Sequence, residues 1–348
     1  MTFLKRILWV RTGGTIDMIY DEASDSYVPA PKDMIKTIVD RIVPADIYLE
    51  IRSDVIEFID SSEMIPQIWV DLAKFVGENI ESYDGILITH GTDTMHYTSA
   101  ALSFMLRNLN KPVVLTGSMI PILEEGSDGV RNFLDSLTFL TKVSIGGVFL
   151  VFDGKIISGV RARKISSSDF GAFVSVNSEY VGYIENGIVN LNSKKVGTSS
   201  KQSEGAVYAE TNLDNSVALI KLFPGFKPKI LEDLAEAGIK GIVLESFGSG
   251  GARVTEPLSL IDAIKKLRER GIPVFVTSQC YLKGVVRFGP KPYYVAKRLM
   301  EAGAVSLHDM LSEVAVVKLM WVLGRVSAYD EIINMMLTNF AGEIKSET

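Results

Sequence analysis

The sequence predicts an α/β fold with two domains, each built around a parallel sheet. Three observations support this prediction. Short apolar, β-branched segments alternate with helical segments, a polar stretch follows residue 191, and 348 residues exceed the usual size of one hydrophobic core. We therefore expect a larger N-terminal α/β domain over residues 1–191, a linker over 192–215 and a smaller α/β domain over 216–348.

The N-terminal segments follow one another as expected for βαβ units. Apolar runs predict strands at residues 7–10, 85–88, 112–115 and 147–152, and the Val, Gly, Tyr and Asn content of residues 155–191 is typical of β-hairpins. Helical spacing covers residues 65–79, 95–109 and 129–140, with Thr94 expected as the N-cap of the middle helix.

The polar segment at residues 192–215, rich in Lys, Ser, Gly, Gln and Glu, separates these elements from a second alternating series. Its composition is typical of a linker. The second series consists of segments at residues 217–222, 230–237, 242–244, 258–270, 273–276, 293–302 and 314–323.

Composition excludes several classes of function. A hydrophobic fraction of 47%, a charged fraction of 22% and a net charge of −6 indicate a soluble globular protein without the basic surface that nucleic acids require. No apolar stretch is long enough to cross a membrane. The N-terminus lacks the features of a signal peptide, and Cys280 alone cannot form an internal disulfide. We therefore expect a cytoplasmic protein, with Cys280 as a buried structural thiol.

Two short motifs follow predicted strands and carry the chemistry. They are TGGTI at residues 12–16 and THGTDT at residues 89–94. The carboxyl ends of parallel strands are where reactive side chains are presented. A threonine nucleophile needs a proton-handling group and a site for the oxyanion. Glycine amides suit the second need, and Thr92, Asp93 and Lys164 are candidates for the first, so the motifs indicate an enzyme with a threonine nucleophile.

Simpler interpretations remain open at this point. A Thr-Gly-Gly turn also occurs for geometric reasons or in nucleotide sites, so a nucleotide-binding regulatory protein is an alternative, although the sequence lacks a Gly-x-Gly-x-x-Gly turn or a Walker lysine after its first strand. Ser61 and Ser62 alone would suggest only a helix N-cap. Three histidines and one cysteine do not form a metal-ligand set, so we expect no metal.

Residues 17–31 form a long polar segment directly after the first glycine turn. Loops of this length inside compact domains are often lids that close over a substrate. We therefore predict a mobile lid at this position.

Together the motifs resemble the L-asparaginase family. In order, they are TGGTI, DSSEM at residues 60–64, THGTDT, PVVLTGS at 112–118, SDGVRN at 127–132 and Arg163-Lys164, followed by TSQC at 277–280 and VKLMW at 317–321. The last two are most similar to cytoplasmic type I enzymes and their archaeal relatives. The resemblance implies a flavodoxin-like N-terminal domain, a smaller C-terminal α/β domain, and a homodimer or homotetramer.

The resemblance also implies the reaction and its residues. L-asparagine would be hydrolysed to L-aspartate and ammonia without a cofactor, through an acyl-enzyme on Thr15. Tyr27 on the lid would activate Thr15, with Tyr20 as a weaker candidate. The second catalytic group would be Thr92, Asp93 and Lys164. Ser61 and Ser62 would hold the α-carboxylate and α-amino group of the substrate, with Asp93 also contacting the ammonium.

A second interpretation with the same chemistry is the amidase subunit of an archaeal tRNA-dependent amidotransferase. That subunit resembles this chain but carries an additional N-terminal domain, whereas eleven residues precede Thr12 here. This difference favours the free-standing enzyme. At residues 246–251, Ser249 and Gly251 stand where secreted type II enzymes carry asparagines, so the sequence does not predict which residues a neighbouring subunit would contribute.

Overall fold

The computed structural model describes residues 4–56, 58–193, 205–286 and 291–345. Contacts divide the chain into two compact units, Met1–Thr211 and Asn212–Thr348. The predicted domain bounds stay a prediction, because residues 194–204 of the expected linker lie outside the described residues.

The first unit is built on a large, mostly parallel sheet. Its strands are β1 (Lys5–Arg11), β2 (Met18–Asp21), β3 (Ser26–Pro29), β4 (Ile47–Arg52), β5 (Gly85–Thr89), β6 (Leu106–Arg107), β7 (Pro112–Thr116), β8 (Gly147–Phe152), β9 (Lys155–Ser158), β10 (Ala162–Lys164), β11 (Phe173–Ser175), β12 (Gly182–Glu185), β13 (Ile188–Leu191) and β14 (Tyr208–Ala209). Eight of them form the main sheet in the order β13-β12-β9-β8-β7-β5-β1-β4. Pairing is parallel from β4 to β8 and antiparallel from β8 to β13.

Every residue of β5 and β7 is buried, as are the last five of β1 and of β8. Strands buried on both faces are continuously apolar, which is why these segments are recognisable in the sequence. Trp9 packs edge-to-face against Phe133, with ring centroids 4.8 Å apart. The buried strands hold the carboxyl ends of β1 and β5 side by side.

The helices that the structure describes in full in the first unit are α1 (Lys32–Ile42), α2 (Pro66–Asn79), α3 (Met95–Met105) and α4 (Gly129–Lys142), with short 3₁₀ turns at Thr15–Asp17, Ser61–Glu63 and Ile80–Ser82. The expected end of the third helix at residue 109 was wrong. The helix ends at Met105 because β6 follows and pairs with β14. Thr94 is at the N-cap position, but its hydroxyl donates to the Ser61 carbonyl, 2.7 Å away, instead of capping α3.

Residues 17–31, predicted to be a loop that acts as a mobile lid, contain a β-hairpin. Strands β2 and β3 pair antiparallel, with Tyr20 opposite Tyr27. The base of the hairpin is closed by the Ala30 amide, which donates to the Asp17 carbonyl at 2.8 Å. Aromatic and β-branched residues on both strands favour this pairing over an open loop.

The second unit is a smaller parallel sheet with helices. Its strands pair in the order β15 (Val217–Lys221), β16 (Gly241–Ser246), β17 (Val274–Ser278) and β18 (Ala304–Ser306). Its helices are α5 (Lys229–Glu236), α6 (Ile261–Glu269), α7 (Tyr294–Ala302), α8 (Ser312–Leu323) and α9 (Tyr329–Leu337). The predicted α/β class is confirmed. Cys280, expected to be buried, is exposed because it lies in the turn after β17.

Candidate active site

The ends of β1 and β5 are tied together by Thr12. Its amide and its hydroxyl both donate to the Thr89 carbonyl, at 3.1 and 2.8 Å. The side chain is buried, and this hydroxyl is already engaged. Thr12 therefore joins the two strands that carry the TGGTI and THGTDT motifs.

Two glycines shape the turn that leads to Thr15. Gly13 and Gly14 have φ values of +97° and +80°, a left-handed conformation that favours glycine. A Cβ added to Gly14 would lie 2.2 Å from the Cα of Gly91. The two glycine turns are thus in direct contact, and Thr15 and Thr92 each directly follow one of these touching glycines. The Gly14 amide donates to the Ile59 carbonyl at 3.2 Å, so it is not directed at a ligand as the sequence suggested.

Lys164 joins Thr92 to Asp93. Its ammonium lies 2.7 Å from Thr92 Oγ1 and 2.6 Å from Asp93 Oδ1. The lysine reaches this position from β10, which pairs antiparallel with β11. The Lys164 side chain is 14% exposed and that of Asp93 is 62% exposed. The arrangement combines a sheltered hydroxyl and ammonium with a carboxylate that faces solvent, so a bound molecule can reach the carboxylate.

Ser61 and Ser62 lie on the 3₁₀ turn beside this group. The Asp93 amide donates to Ser61 Oγ at 3.2 Å, which leaves the serine proton available to a ligand. The amide and hydroxyl of Ser62 both donate to Asp60 Oδ1, at 2.8 and 2.7 Å. These bonds, together with the positive charge of Lys164, lower the pKa of Asp60. Sequence reasoning missed this role of Asp60, although an aspartate two residues before a serine is a recognisable capping pattern.

Tyr27 is 51% exposed. Its ring packs edge-to-face on Tyr20, with centroids 5.5 Å apart, and a hydrogen bond with Glu124 raises the pKa of its hydroxyl. Tyr20 donates its own hydroxyl to Asp25. The predicted contact between Tyr27 and Thr15 therefore stays a prediction.

Two buried histidines, His90 and His96, lie on either side of Thr92 and Asp93 in the sequence. His90 is held between the Gly91 carbonyl and Thr98, at 2.7 and 2.9 Å, and burial lowers its pKa to about 4. Burial and the nearby charges of Arg163 and Lys164 lower the pKa of His96 to about 4 as well. Both rings are therefore neutral at neutral pH. The described residues contain no cluster of three or more His, Cys, Asp or Glu side chains that would hold a metal ion.

Sequence reasoning also missed a buried ion pair at the turn that contains Thr15. Arg11 Nε donates to Asp17 Oδ1 at 3.0 Å, and Arg11 Nη2 lies 2.9 Å from the same oxygen. The two side chains are 2% and 1% exposed. Arg11, a charged residue at the end of an apolar strand, indicated in the sequence that a partner is needed. Which residue is that partner depends on how the turn folds.

A cavity of about 590 Å³ lies elsewhere in this unit, beside α1 and β4. It is lined by Trp9, Arg11 and residues of both elements, and not by Thr15, Thr92 or Lys164. None of the helices in the described parts of the chain is long and apolar enough to span a bilayer.

The family described as "Asparaginase, N-terminal" matches residues 6–197, and "Glutaminase/Asparaginase C-terminal domain" matches residues 216–336. These matches cover most of both units. The chain belongs to the asparaginase family.

Individual relatives agree with this assignment. An L-asparaginase of Thermococcus kodakarensis is 40% identical over 82% of this chain and 84% of its own length. A subunit of the glutamyl-tRNA(Gln) amidotransferase of Pyrococcus abyssi is 35% identical over 99% of this chain and 78% of its own length.

Solved structures are similar along nearly the whole chain. The thermostable L-asparaginase of T. kodakarensis superposes with a TM-score of 0.89 at 36% identity, covering 98% of this chain and 100% of that one. L-asparaginase I of Vibrio cholerae gives 0.86 at 31% identity, covering 98% and 99%. The asparaginase family suggests an amidohydrolase.

Proposed function

We propose that this protein is an L-asparaginase, which hydrolyses L-asparagine to L-aspartate and ammonia. The observation that carries the proposal is the position of Lys164. Its ammonium bridges Thr92 Oγ1 and Asp93 Oδ1, and Thr92 follows Gly91, whose backbone touches that of Gly14, the residue before Thr15. This contact supports a single site in which Thr15 supplies the nucleophilic hydroxyl, Thr92 and Lys164 handle protons, and Asp93 offers a carboxylate to the substrate.

The charges of the site fit an α-amino acid. The exposed carboxylate of Asp93 is a partner for the substrate ammonium, and the hydroxyl oxygen of Ser62 is a second acceptor. The hydroxyl of Ser61 retains its proton to donate to the α-carboxylate. Binding both charged groups would fix the side-chain amide of asparagine toward Thr15.

In the first half of the reaction, Thr15 Oγ attacks the side-chain amide carbon of asparagine. Its proton passes to the leaving nitrogen, the carbon–nitrogen bond breaks and ammonia leaves. The positive Lys164 favours the deprotonated state of the neighbouring hydroxyl and so assists proton movement through Thr92. The product of this half is a β-aspartyl ester on Thr15.

In the second half, water attacks the ester carbon. The carbon–oxygen bond to Thr15 breaks, the water proton returns to Thr15 Oγ, and aspartate is released. Closure of the hairpin, which carries Tyr27, would exclude bulk water and bring the phenol toward Thr15. The proposed steps call for no cofactor or metal.

The setting we propose is a cytoplasmic homodimer or homotetramer without nucleic acid or membrane partners. A "Probable Cytoplasmic L-asparaginase" of Campylobacter jejuni, 27% identical with a TM-score of 0.74, supports the location. The net charge of −6 argues against nucleic acid as a direct ligand.

A second candidate is an ammonia-donating subunit of a tRNA-dependent amidotransferase. The observation that supports this candidate is the 35% identity to the P. abyssi protein over 99% of this chain. Such a subunit would deliver ammonia to a partner, whereas an asparaginase needs none.

The test is ammonia release by the isolated protein from asparagine and from glutamine in parallel. We expect steady turnover of asparagine without any partner. Release only with a partner protein would support the second candidate. Stabilisation against heat by ATP or NAD, but not by aspartate, would instead indicate a nucleotide-binding protein, because a ligand of the folded state raises its melting temperature.

A further inference from the structure

The nucleophile turn rests on an ion pair that the reaction described above does not use. Arg11 is the last residue of β1, and Asp17 is the last residue of the 3₁₀ turn that begins with Thr15. Their side chains meet through Arg11 Nε and Nη2, which lie 3.0 and 2.9 Å from Asp17 Oδ1. The pair therefore spans the turn from one side of Thr15 to the other.

The second oxygen of Asp17 extends the contact to β5. Thr89 donates its hydroxyl to Asp17 Oδ2 at 3.3 Å and accepts a hydrogen bond from Trp9 Nε1 at 3.1 Å. The Arg11 guanidinium lies over the rings of Phe58 and Trp9, with centroids 4.9 and 5.5 Å away. Both charges are thus held in one orientation from several directions.

Asp17 also fixes the backbone on both of its sides. Its amide donates to the Gly14 carbonyl at 2.9 Å, which closes the turn around Thr15, and its carbonyl accepts from Ala30 at 2.8 Å, which closes the hairpin base. Burial raises the pKa of Asp17, and the Arg11 charge opposes this effect.

A buried ion pair is rarely the best source of stability. Replacing such a pair by apolar residues of similar volume is often neutral or stabilising, because removing charges from water is costly. The pair instead fixes the orientation of the groups that it joins, because each hydrogen bond restricts the angle between its donor and acceptor. This distinction separates a positioning role from a merely structural one.

We propose that Arg11 and Asp17 are positioning residues, which hold the Thr15 turn and the base of the hairpin in the orientation that the reaction requires. The proposal rests on the proposed function of Thr15 as the nucleophile. Neither side chain is expected to touch the substrate.

The test compares three variants with the wild-type protein. Asp17→Asn removes one charge at constant shape. Arg11→Met combined with Asp17→Leu replaces the pair by apolar side chains. Asp40→Asn is the matched control, because it makes the same change in an exposed ion pair with Lys36 on α1. For each variant we would measure kcat and KM for asparagine, the melting temperature, and hydrogen exchange of residues 12–31 without substrate.

We expect Asp17→Asn to lower kcat by about tenfold or more with KM changed less than about threefold, as for a misplaced catalytic group. Its amides near Asp17 and Ala30 should exchange faster. The double variant should have the melting temperature of the wild type, but its kcat should stay below that of the wild type. Asp40→Asn should match the wild type in all measurements.

Recovery of kcat together with melting temperature in the double variant would overturn the proposal, because it would show a structural role only. Unchanged kcat together with unchanged hydrogen exchange in Asp17→Asn would also overturn the proposal. This measurement is sufficient on its own if the double variant does not fold. A wild-type protein that releases no ammonia would refute the proposed function, whereas the exchange measurement, made without substrate, would still decide whether the pair orders the turn.

Discussion

At the scale of single residues, we expect the proposed role of Lys164 to depend on its charge. Its ammonium contacts both Thr92 Oγ1 and Asp93 Oδ1. The methylene stem that carries it is mostly buried. A substitution that keeps the stem and removes the charge therefore separates the two contributions.

We expect Lys164→Met to lower turnover by a factor on the order of a hundred or more, as loss of a proton-handling group does. Ammonia release from asparagine measures this. Lys155→Met is the matched control, since the Lys155 ammonium bonds to Asp153, at 3.0 Å, and not to a proposed catalytic side chain. A fully active Lys164→Met protein would remove Lys164 from the mechanism.

We expect His96 to make stability depend on pH. Its pKa is lowered to about 4 in the fold from 6.5, so the folded ring stays neutral while the unfolded chain takes up a proton below pH 6.5. The contribution of His96 to stability is therefore complete above pH 6.5 and is lost as the pH falls toward 4. Between pH 7 and pH 5 the loss amounts to about 2 kcal/mol in the free energy of unfolding.

Urea unfolding of His96→Phe at the two pH values checks this expectation. The decrease in unfolding free energy from pH 7 to pH 5 should be smaller than in the wild type by about 2 kcal/mol. Tyr97→Phe alters the neighbouring ring, whose centroid is 4.6 Å from His96, without removing a histidine, and should keep the wild-type dependence. Equal pH dependence in all three proteins would show that His96 does not contribute to it.

At the scale of secondary structure elements, the hairpin of β2 and β3 is the element that we expect a substrate to move. The side chains of Tyr20 and Tyr27 are about half exposed, and the Tyr27 hydroxyl is hydrogen-bonded to Glu124. Its base is fixed at Asp17 and Ala30. A hairpin anchored at its base and exposed at its outer residues can close as a unit.

We expect Tyr27→Phe to lower kcat much more than it weakens aspartate binding, because the phenol oxygen would act mainly in the transition state. Steady-state kinetics and aspartate titration measure the two effects. Tyr20→Phe is the control, since that hydroxyl bonds to Asp25 within the hairpin. Hydrogen exchange of residues 17–31 should also slow when aspartate is added. Unchanged exchange and a fully active Tyr27→Phe protein would exclude the lid from the mechanism.

At the scale of the whole molecule, the sequence predicted the buried parallel strands because they are continuously apolar. The TGGTI and THGTDT motifs were predicted to lie at the carboxyl ends of two of these strands. The contact between Gly14 and Gly91 agrees with that placement. The edge strand β4 and helix α1 were missed. Alternation of Ile47, Leu49 and Ile51 would have indicated β4, and Ile35 with Val39 is the helical spacing of α1.

Other features depend on tertiary contacts that local patterns do not contain. The pairing of Arg11 with Asp17 requires the left-handed glycine turn between them. The early end of α3 requires β14, about a hundred residues further along the chain. Cys280 is exposed because the chain turns after β17, whereas cysteines are on average buried.

The proposed mechanism depends above all on Thr15 forming the acyl-enzyme. The most direct measurement is mass spectrometry of the peptide containing Thr15 after the protein is mixed with asparagine and quenched in acid within milliseconds to seconds. We predict that this peptide gains the mass of one aspartyl residue, located on Thr15 by fragmentation, and that Thr15→Ala shows neither the adduct nor ammonia release. An adduct on Thr12 or Thr92, or ammonia release by Thr15→Ala above a few per cent of wild type, would contradict this prediction.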